Sequence, residues 1–267
     1  MKINILLGVL ISLMLMVNNL YAASIGGSWD IVEQGKFGVS MVGDYISEKE
    51  FDVPSYSGSG IALTGLKFEN CRDLGVKLSY GILENLNLYL KGGFTDKEIK
   101  TEWADASRTD LETDTGSFFG IGTKYTYWFE QDYLLALDAQ YIKHPDKSVD
   151  TVRENGVNAS AITQAGNIKY YEFKATIIFG KNFELDSKMS LLPYIGFSYD
   201  KFNLKTDAIA YSVGGSGYAL DPIDLDEDKN LGVILGADLN VNENVKFNIE
   251  GRFNSETAFS GNIILMF

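Results

Sequence analysis

The sequence predicts an all-β fold, a closed antiparallel transmembrane β-barrel of about ten strands, and three observations lead to it. Apolar and polar residues alternate in segments of about ten residues, the length that a tilted strand needs to cross a bilayer. Charged residues are absent from one face of each segment. Short turns alternate with long polar connections. These features indicate that one face of each strand contacts hydrocarbon while the other faces the barrel interior.

The N-terminus has the pattern of an export signal. Lys2 gives a positive start, residues 5–17 form an apolar run, and Ala22 and Ala23 supply small residues at a cleavage point. We therefore expect a signal peptide over 1–22, a periplasmic segment over 23–35 and the barrel over 36–267. An uncleaved anchor is the alternative, although the run is shorter than the ~20 residues of a spanning helix.

Composition excludes several classes of function. The net charge of -13 opposes binding to nucleic-acid phosphates, which need a basic surface. The one cysteine, Cys71, cannot form an internal disulfide, and nothing in the chain predicts a metal site or a cofactor. Aromatic residues make up 13% of the chain and prolines number only 4, as is typical of many strands.

Ten strands follow from the alternation, beginning with one from Phe37 and ending with one at Phe267. The clearest pair runs from Leu74 to Thr95, and the pattern also allows its first strand to begin at Leu66 with Leu66 and Phe68 in the phase of Leu74. Short turns are predicted near residues 82, 131, 185 and 242, and long polar loops over 48–70, 96–114, 145–167 and 205–229. A fifth outer connection, 254–256, is short. Short turns are typical of the periplasmic side, so we expect both termini there.

The two faces of the strands differ in charge. The face assigned to lipid has none, because charge at the bilayer midplane costs about 2–4 kcal/mol for Lys or Arg. The charges that we expect to line the lumen are Asp44, Asp73, Lys77, Lys91, Lys124, Asp138, Glu172, Lys174, Asp200, Asp238, Glu250 and Arg252. They form either a salt-bridged plug or the lining of a narrow, wet path that inward glycines keep open.

Aromatic residues favour a membrane barrel over a soluble sandwich, the alternative that alternation alone allows. On the lipid face they fall at both strand ends, where the two membrane interfaces would lie. The belt at the short turns contains Phe37, Tyr80, Tyr127, Phe129, Phe179 and Phe267. The belt at the long connections contains Tyr45, Phe94, Phe119, Tyr141, Tyr171, Tyr199, Phe253 and Phe259.

The chain end carries the most specific motif. Phe259, Ile263, Leu265 and the final Phe267 alternate along the last strand. This pattern resembles the terminal strand of Gram-negative outer-membrane barrels, and the small opacity-type, porin-like and omptin-type barrels are similar in architecture. The resemblance implies a place in the cell outer membrane. It also implies contact with outer-membrane lipid and lipopolysaccharide, and recognition by the barrel assembly machinery.

Catalysis is not expected. Omptin proteases, which resemble this chain in strand count, use an Asp–His pair, and Asp146 or Asp200 is the partner that His144 would need. No omptin motif surrounds His144. Lipid A deacylases need a lipid-facing His, whereas the phase of His144 is inward. We therefore interpret the chain as a non-enzyme.

Two loop features complete the sequence prediction. The acidic run over 221–228 lacks the Gly and final Glu of a calcium hand, so we expect a solvated loop, with loose cation binding as the alternative. The loop aromatics Tyr56, Trp103, Tyr211 and Tyr218 either pack the loops together or anchor an extracellular ligand. For function, a narrow porin-like passage for ions or small solutes is favoured, and a non-conducting surface barrel with partner-binding loops is the alternative.

Overall fold

The computed structural model describes residues 32–51, 53, 63–130, 132–226, 230–254 and 256–267. The predicted signal peptide, most of the 23–35 segment, and Tyr56 lie outside the described residues. Within the described part, no helix is long and apolar enough to cross a membrane. Val32 is buried and Gly35 donates its backbone N–H to the carbonyl of Gly81, so the chain enters the fold beside the end of the second strand.

Seventeen strands make up the described chain. They are β1 (Phe37–Phe51), β2 (Leu63–Leu83), β3 (Leu86–Trp103), β4 (Arg108–Thr113), β5 (Gly116–Phe129), β6 (Tyr133–Glu154), β7 (Val157–Asn158), β8 (Ala161–Gln164), β9 (Asn167–Lys181), β10 (Phe183–Asp186), β11 (Met189–Thr206), β12 (Ile209–Val213), β13 (Ser216–Leu220), β14 (Ile223–Asp226), β15 (Leu231–Asn240), β16 (Val245–Phe253) and β17 (Thr257–Met266).

Ten of these strands form a closed wall in which every neighbour is antiparallel. Its order is β1, β2, β3, β5, β6, β9, β11, β15, β16 and β17, and β17 returns to pair with β1. Closure satisfies the backbone of every wall strand and leaves no edge exposed to lipid. The predicted fold class and strand number are confirmed.

The two ends of the barrel differ. Hairpins at 83–86, 129–133, 181–189 and 240–245, where the sequence predicts short turns, define what we call the turn end. At the opposite, extended end, β4 bridges β3 and β6, β7 pairs with β6, and β14 pairs with β11. A separate sheet of β13, β12 and β8 also lies there. The prediction of long polar loops was therefore largely wrong, because continued strand pairing satisfies the backbone groups beyond the bilayer.

The outward face of the wall is apolar between the two ends. Leu78, Leu90 and Ile121 are each more than half exposed. Aromatic side chains assigned to the two belts also point outwards, and Phe37 and Phe94 are about two-thirds exposed. Such an exposed apolar band, bounded by aromatics, matches a barrel whose surrounding medium is hydrocarbon.

A level of β-bulges separates this band from the extended end. Register shifts interrupt β1 between Ile46 and Glu48, and β2 between Glu69 and Arg72. Each extra residue reverses which side chains point inwards. Leu66 and Phe68 are consequently buried, opposite in phase to Leu74, and the predicted common phase was wrong.

Above the bulges the outward face carries ion pairs instead of apolar side chains. Lys67 Nζ lies 3.2 Å from a Glu48 oxygen and 2.6 Å from a Glu69 oxygen, and Lys100 also pairs with Glu69. Such groups are stable in water rather than hydrocarbon, so the bulges mark the membrane boundary of the extended end.

Inside the wall at this level lies a second feature, which we call the apolar cluster. Its rings pack edge to face, with the centroid of Phe68 5.0 Å from Phe51 and 5.4 Å from Phe202. The cluster consists of Ile46, Phe51, Leu63, Leu66, Phe68, Cys71, Ile99, Trp103, Leu111, Val149, Val152, Ile168, Tyr170, Phe202, Leu204, Ile209, Tyr211, Leu220, Ile223, Leu225 and Ala258. It fills the interior of the extended end.

Candidate functional site

The barrel interior holds a dense set of buried charges between the belts. All twelve charged residues that the sequence assigns to the interior are buried there, none more than 6% exposed. Together with Lys49 and Glu256 we call them the charged layer. Neighbouring strands of a β-sheet lie about 4.7–4.9 Å apart. Inward charges on adjacent wall strands therefore come within ion-pair distance.

Glu256 is the centre of the first group in this layer. Its carboxylate lies 2.5 Å from Arg252 Nε, 2.9 Å from Lys174 Nζ and 3.5 Å from Lys49 Nζ. All four side chains are at most 1% exposed. One buried carboxylate therefore joins cations from β1, β9 and β16.

Two cations of this group, Arg252 and Lys174, have further carboxylate partners. Arg252 Nη2 lies 2.8 Å from Asp44 and Nη1 lies 3.3 Å from Glu250. Lys174 Nζ lies 3.2 Å from Glu172 and 3.4 Å from Asp200. Opposite charges thus alternate across the interior, which offsets the cost of removing each from water.

A second group lies around Asp138, with two tyrosines as bridges. The Tyr89 hydroxyl donates to Asp138 at 2.8 Å, and Lys124 Nζ lies 3.8 Å from the same carboxylate. Lys91 Nζ donates to Gln140 at 2.6 Å. On the other side the Tyr194 hydroxyl donates to Glu250 at 2.9 Å, which links this group to the first.

Lys77 and Asp238 belong to the same region of the interior. Lys77 Nζ lies 5.0 Å from the Tyr89 ring centroid, within range of a cation–π contact. Asn248 donates one hydrogen bond to Asp238 at 2.5 Å and another to the Tyr194 hydroxyl at 2.9 Å. Each position in the second group is therefore fixed by a neighbour.

Inward glycines make room for these tyrosines. A Cβ added at Gly122 would lie 2.3 Å from Tyr89 Cζ, and one added at Gly236 would lie 2.3 Å from Tyr194 Cζ. The space that each glycine frees is occupied by an aromatic ring. At these two positions the glycines serve packing rather than an open path.

A third group connects the charged layer to the apolar cluster. Lys97 Nζ lies 2.9 Å from Asp73, and both side chains are buried. The ring of Tyr170 lies 5.7 Å from the ammonium groups of both Lys97 and Lys147. The ring of His144 also stacks on Tyr170, at a centroid distance of 3.8 Å.

Five buried charges were missed by the sequence reasoning: Lys49, Lys97, Lys147, Lys246 and Glu256. Lys49 and Lys147 follow bulges in β1 and β6, so their inward orientation contradicts the parity of the preceding strand segment. Glu256 occupies the short connection that the sequence assigns to an outer turn. In the sequence Leu66 and Phe68 keep the parity of Leu74 although they point inwards, so alternation gave no signal of the bulge between them and Leu74.

The geometry does not assemble the Asp–His pair considered from the sequence. His144 is buried between the rings of Tyr170 and Phe118, at centroid distances of 3.8 and 5.6 Å. Asp146 is exposed and lies 3.9 Å from Lys169 Nζ, while Asp200 pairs with Lys174.

The acidic run forms a strand from Ile223 to Asp226. In β14, Ile223 and Leu225 are buried while Asp224 and Asp226 point outwards. Lys205 Nζ lies 2.5 Å from Asp224, and Asn203 donates to both aspartates at 3.1 Å. The predicted solvated loop is thus an amphipathic strand up to residue 226, and 227–229 lie outside the described residues. No group of three metal-ligating side chains occurs among the described residues.

The loop aromatics meet at a cavity of about 260 Å³ in the extended end. Trp103, Tyr211 and Tyr218 line it, together with the carboxylates of Asp105 and Glu154. The Tyr211 hydroxyl donates to Glu154 at 2.7 Å. Burial, followed by this carboxylate, raises the pKa of Tyr211, so the hydroxyl stays a donor.

The terminal strand closes the wall. Ile263 and Leu265 of β17 lie opposite Met41 and Val39 of β1. Phe259 and Phe267 are well exposed on the outer face, and the Phe267 N–H donates to the carbonyl of Phe37. Both ends of the wall therefore meet at the turn end.

A ring of ten antiparallel strands, apolar outside and charged inside, defines a closed transmembrane β-barrel. No family model and no curated protein sequence matches the chain.

Solved structures of outer-membrane barrels are similar to this chain over most of its length. The outer membrane protease OmpT from Escherichia coli is 11% identical, with a TM-score of 0.49 over 90% of this chain and 98% of that one. OprG from Pseudomonas aeruginosa is 8% identical, with a TM-score of 0.44 over 88% and 98%. The translocator domain of the autotransporter NalP from Neisseria meningitidis is 13% identical, with a TM-score of 0.44 over 89% and 90%.

Proposed function

We propose that this chain is a closed surface barrel that acts through its extended end. The observation that carries the proposal is the succession of two filled layers across the interior, the apolar cluster and then the charged layer. We place the extended end outside the cell and both termini in the periplasm, because long connections of outer-membrane barrels are extracellular and short turns periplasmic.

The two layers oppose different solutes. A hydrated ion entering from the extended end would have to lose water among the packed rings of Phe51, Phe68 and Phe202. An apolar solute would have to separate buried pairs around Glu256, at about 3–5 kcal/mol for each partner left alone. The twelve predicted lumen charges thus act as structural groups that hold the wall in shape.

Conductance of the folded protein in a planar bilayer tests this proposal. We expect no current through the membrane at moderate voltage. Resistance to unfolding in cold detergent shows that the protein in the same preparation is folded. Discrete current steps would contradict the closed barrel.

A narrow passage for ions or small solutes is the second candidate, and one observation favours it. Lys77 and Lys91 lie directly opposite on β2 and β3, and like charges in that position are destabilising. A path that attracts anions would make use of such a pair.

Changing Lys77, Lys91 and Arg252 together to Gln separates the two candidates. If the charged layer is structural, we expect a lower unfolding midpoint and still no current through the bilayer. For a passage, ion selectivity shifts towards cations because three positive charges are lost.

Three further assignments belong to the proposal. Phe259, Ile263, Leu265 and Phe267 form the strand that the barrel assembly machinery recognises. The outward apolar band contacts membrane lipid, and the outward ion pairs above the bulges contact lipopolysaccharide. His144 has no catalytic role in this proposal, because its ring is held within an aromatic stack.

A further inference from the structure

The cavity at the extended end lies between two sheets. Trp103 comes from β3 and Glu154 from β6, both in the extension of the wall, whereas Tyr211 and Tyr218 come from β12 and β13 of the separate sheet. The hydrogen bond from Tyr211 to Glu154 joins the sheets at this point. The cavity is therefore a built junction rather than a gap between independent loops.

A carboxylate is fixed in the cavity wall. The hydroxyls of Tyr211 and Thr109 donate to the same oxygen of Glu154, Oε2, at 2.7 and 2.8 Å. Trp103 Nε1 donates in turn to the Thr109 hydroxyl at 3.1 Å. These bonds hold the carboxylate in one position without neutralising its charge, because every donor is an uncharged group.

Aromatic faces surround that carboxylate. The rings of Tyr211 and Tyr218 stack with centroids 5.5 Å apart and an angle of 14° between planes. Tyr211 is 3% exposed and Trp103 9%, whereas Tyr218 is 42% exposed and offers its free side to solvent. One buried ring and one open ring thus form a platform at the cavity mouth.

The cavity is negative as well as aromatic. Asp105 contributes a second carboxylate and accepts hydrogen bonds from the Ser107 N–H at 2.9 Å and the Ser107 hydroxyl at 2.6 Å. None of the ten described residues that line the cavity is Lys or Arg. The adjacent Arg108 is directed to Asp110, at 2.7 Å.

We propose that this cavity binds a small organic cation of the quaternary ammonium class, such as a choline headgroup. Aromatic faces attract such a cation through the ring quadrupole, and the fixed carboxylate adds a Coulomb attraction. The volume of about 260 Å³ is below the ~300–1,000 Å³ of drug-sized sites, which matches a headgroup rather than a larger ligand. The inference rests on the proposed surface role, which exposes the extended end to the medium.

Fluorescence of Trp103 reports on binding directly. The chain has three tryptophans, and the double change Trp29→Phe and Trp128→Phe leaves Trp103 as the single emitter. Refolded protein is titrated with choline chloride and, separately, with 3,3-dimethylbutan-1-ol, the uncharged molecule of the same shape. Calorimetry on the unchanged chain gives a second measurement if the double variant does not fold.

We expect saturable binding of choline in the millimolar range and no saturation with the neutral alcohol. Glu154→Gln and Tyr218→Leu each weaken binding about fivefold, whereas Tyr218→Phe retains it because the ring face remains. Asp146→Asn, an exposed carboxylate outside the cavity, is the matched control and leaves binding unchanged.

Equal binding of choline and the neutral alcohol would overturn the proposal, because the cavity would then select for shape alone. Absence of saturable binding at tens of millimolar choline would also overturn it. The cation site and the surface role can fail separately. No current in the bilayer together with no choline binding refutes the cation site. Current steps together with intact choline binding refute only the closed barrel.

Discussion

Replacing Glu256 by Gln tests whether the charged layer stabilises the barrel. The substitution keeps the volume of the side chain and removes the charge that three cations share: Arg252 at 2.5 Å, Lys174 at 2.9 Å and Lys49 at 3.5 Å. Breaking a buried pair from one side typically costs about 3–5 kcal/mol, because the remaining charge stays buried.

For Glu256→Gln we expect a cost at the lower end of this range of about 3–5 kcal/mol. Arg252 retains Asp44 and Glu250, and Lys174 retains Glu172 and Asp200, so both of these cations keep carboxylates within 3.4 Å. We therefore expect a loss of about 3 kcal/mol. With an m value of ~3 kcal/mol/M in urea, the unfolding midpoint falls by about 1 M.

Urea unfolding in phospholipid vesicles, followed by tryptophan emission, measures this change. Glu112→Gln is the matched control, because Glu112 forms a pair with Arg153 that is about one-third exposed, and pairs in contact with solvent contribute about 0–1 kcal/mol. A Glu256→Gln midpoint equal to that of the control would refute the view that paired charges hold the barrel in shape.

Three other predictions concern packing, assembly and pH. Gly122→Ala places a methyl group 2.3 Å from the buried Tyr89 ring, so we expect a loss of about 1–3 kcal/mol in the same urea assay, whereas Gly217→Ala, with open space around it, is neutral. Deleting Phe267 slows assembly into the outer membrane, measured by pulse-chase, while the refolded protein keeps its unfolding midpoint; normal assembly would refute the signal role. Burial tends to raise the pKa of Glu69, but hydrogen bonds from Lys100 and Lys67 outweigh it and lower the pKa. A group whose pKa is lower in the folded protein than in the unfolded chain stabilises the fold at pH values above its unfolded pKa. This stabilisation is lost as the pH falls through the folded pKa. The small melting-temperature difference between the unchanged chain and Glu69→Gln should thus be present at pH 7 and vanish in acid, and a difference that persists below pH 3 would count against the pair.

The alternation of apolar and polar residues was sufficient to predict the barrel wall. Period two assigns Leu78 and Leu90 to lipid and Lys77 and Lys91 to the interior, and the structure has these orientations. Strand length and charge segregation then decide the class, because only a barrel in hydrocarbon needs one face without charge along ten segments. The four short hairpins were also placed correctly, since their turns interrupt two strongly alternating segments.

The extended end could not be predicted in the same way. Its strands carry Lys67, Glu69 and Lys100 outwards, so polarity alone made them resemble loops. Their pairing depends on partners far apart in sequence, such as β4 between β3 and β6. Glu256 was missed for a related reason: its burial arises from cations on three other strands, which no local pattern reports.

Because of the bulge at Asn70, the fold of this region is more sensitive to deletion of a residue than to a substitution. Asn70 has a φ of 52°, which asparagine tolerates, and a substitution there affects this position and its hydrogen bonds with Tyr45 and Glu98 without shifting the strand. Removing the residue would instead shift the distal half of β2 by one step. Leu66 and Phe68 would then face the medium and Lys67 would enter the rings, so a single-codon loss would dismantle a region that many point changes leave intact.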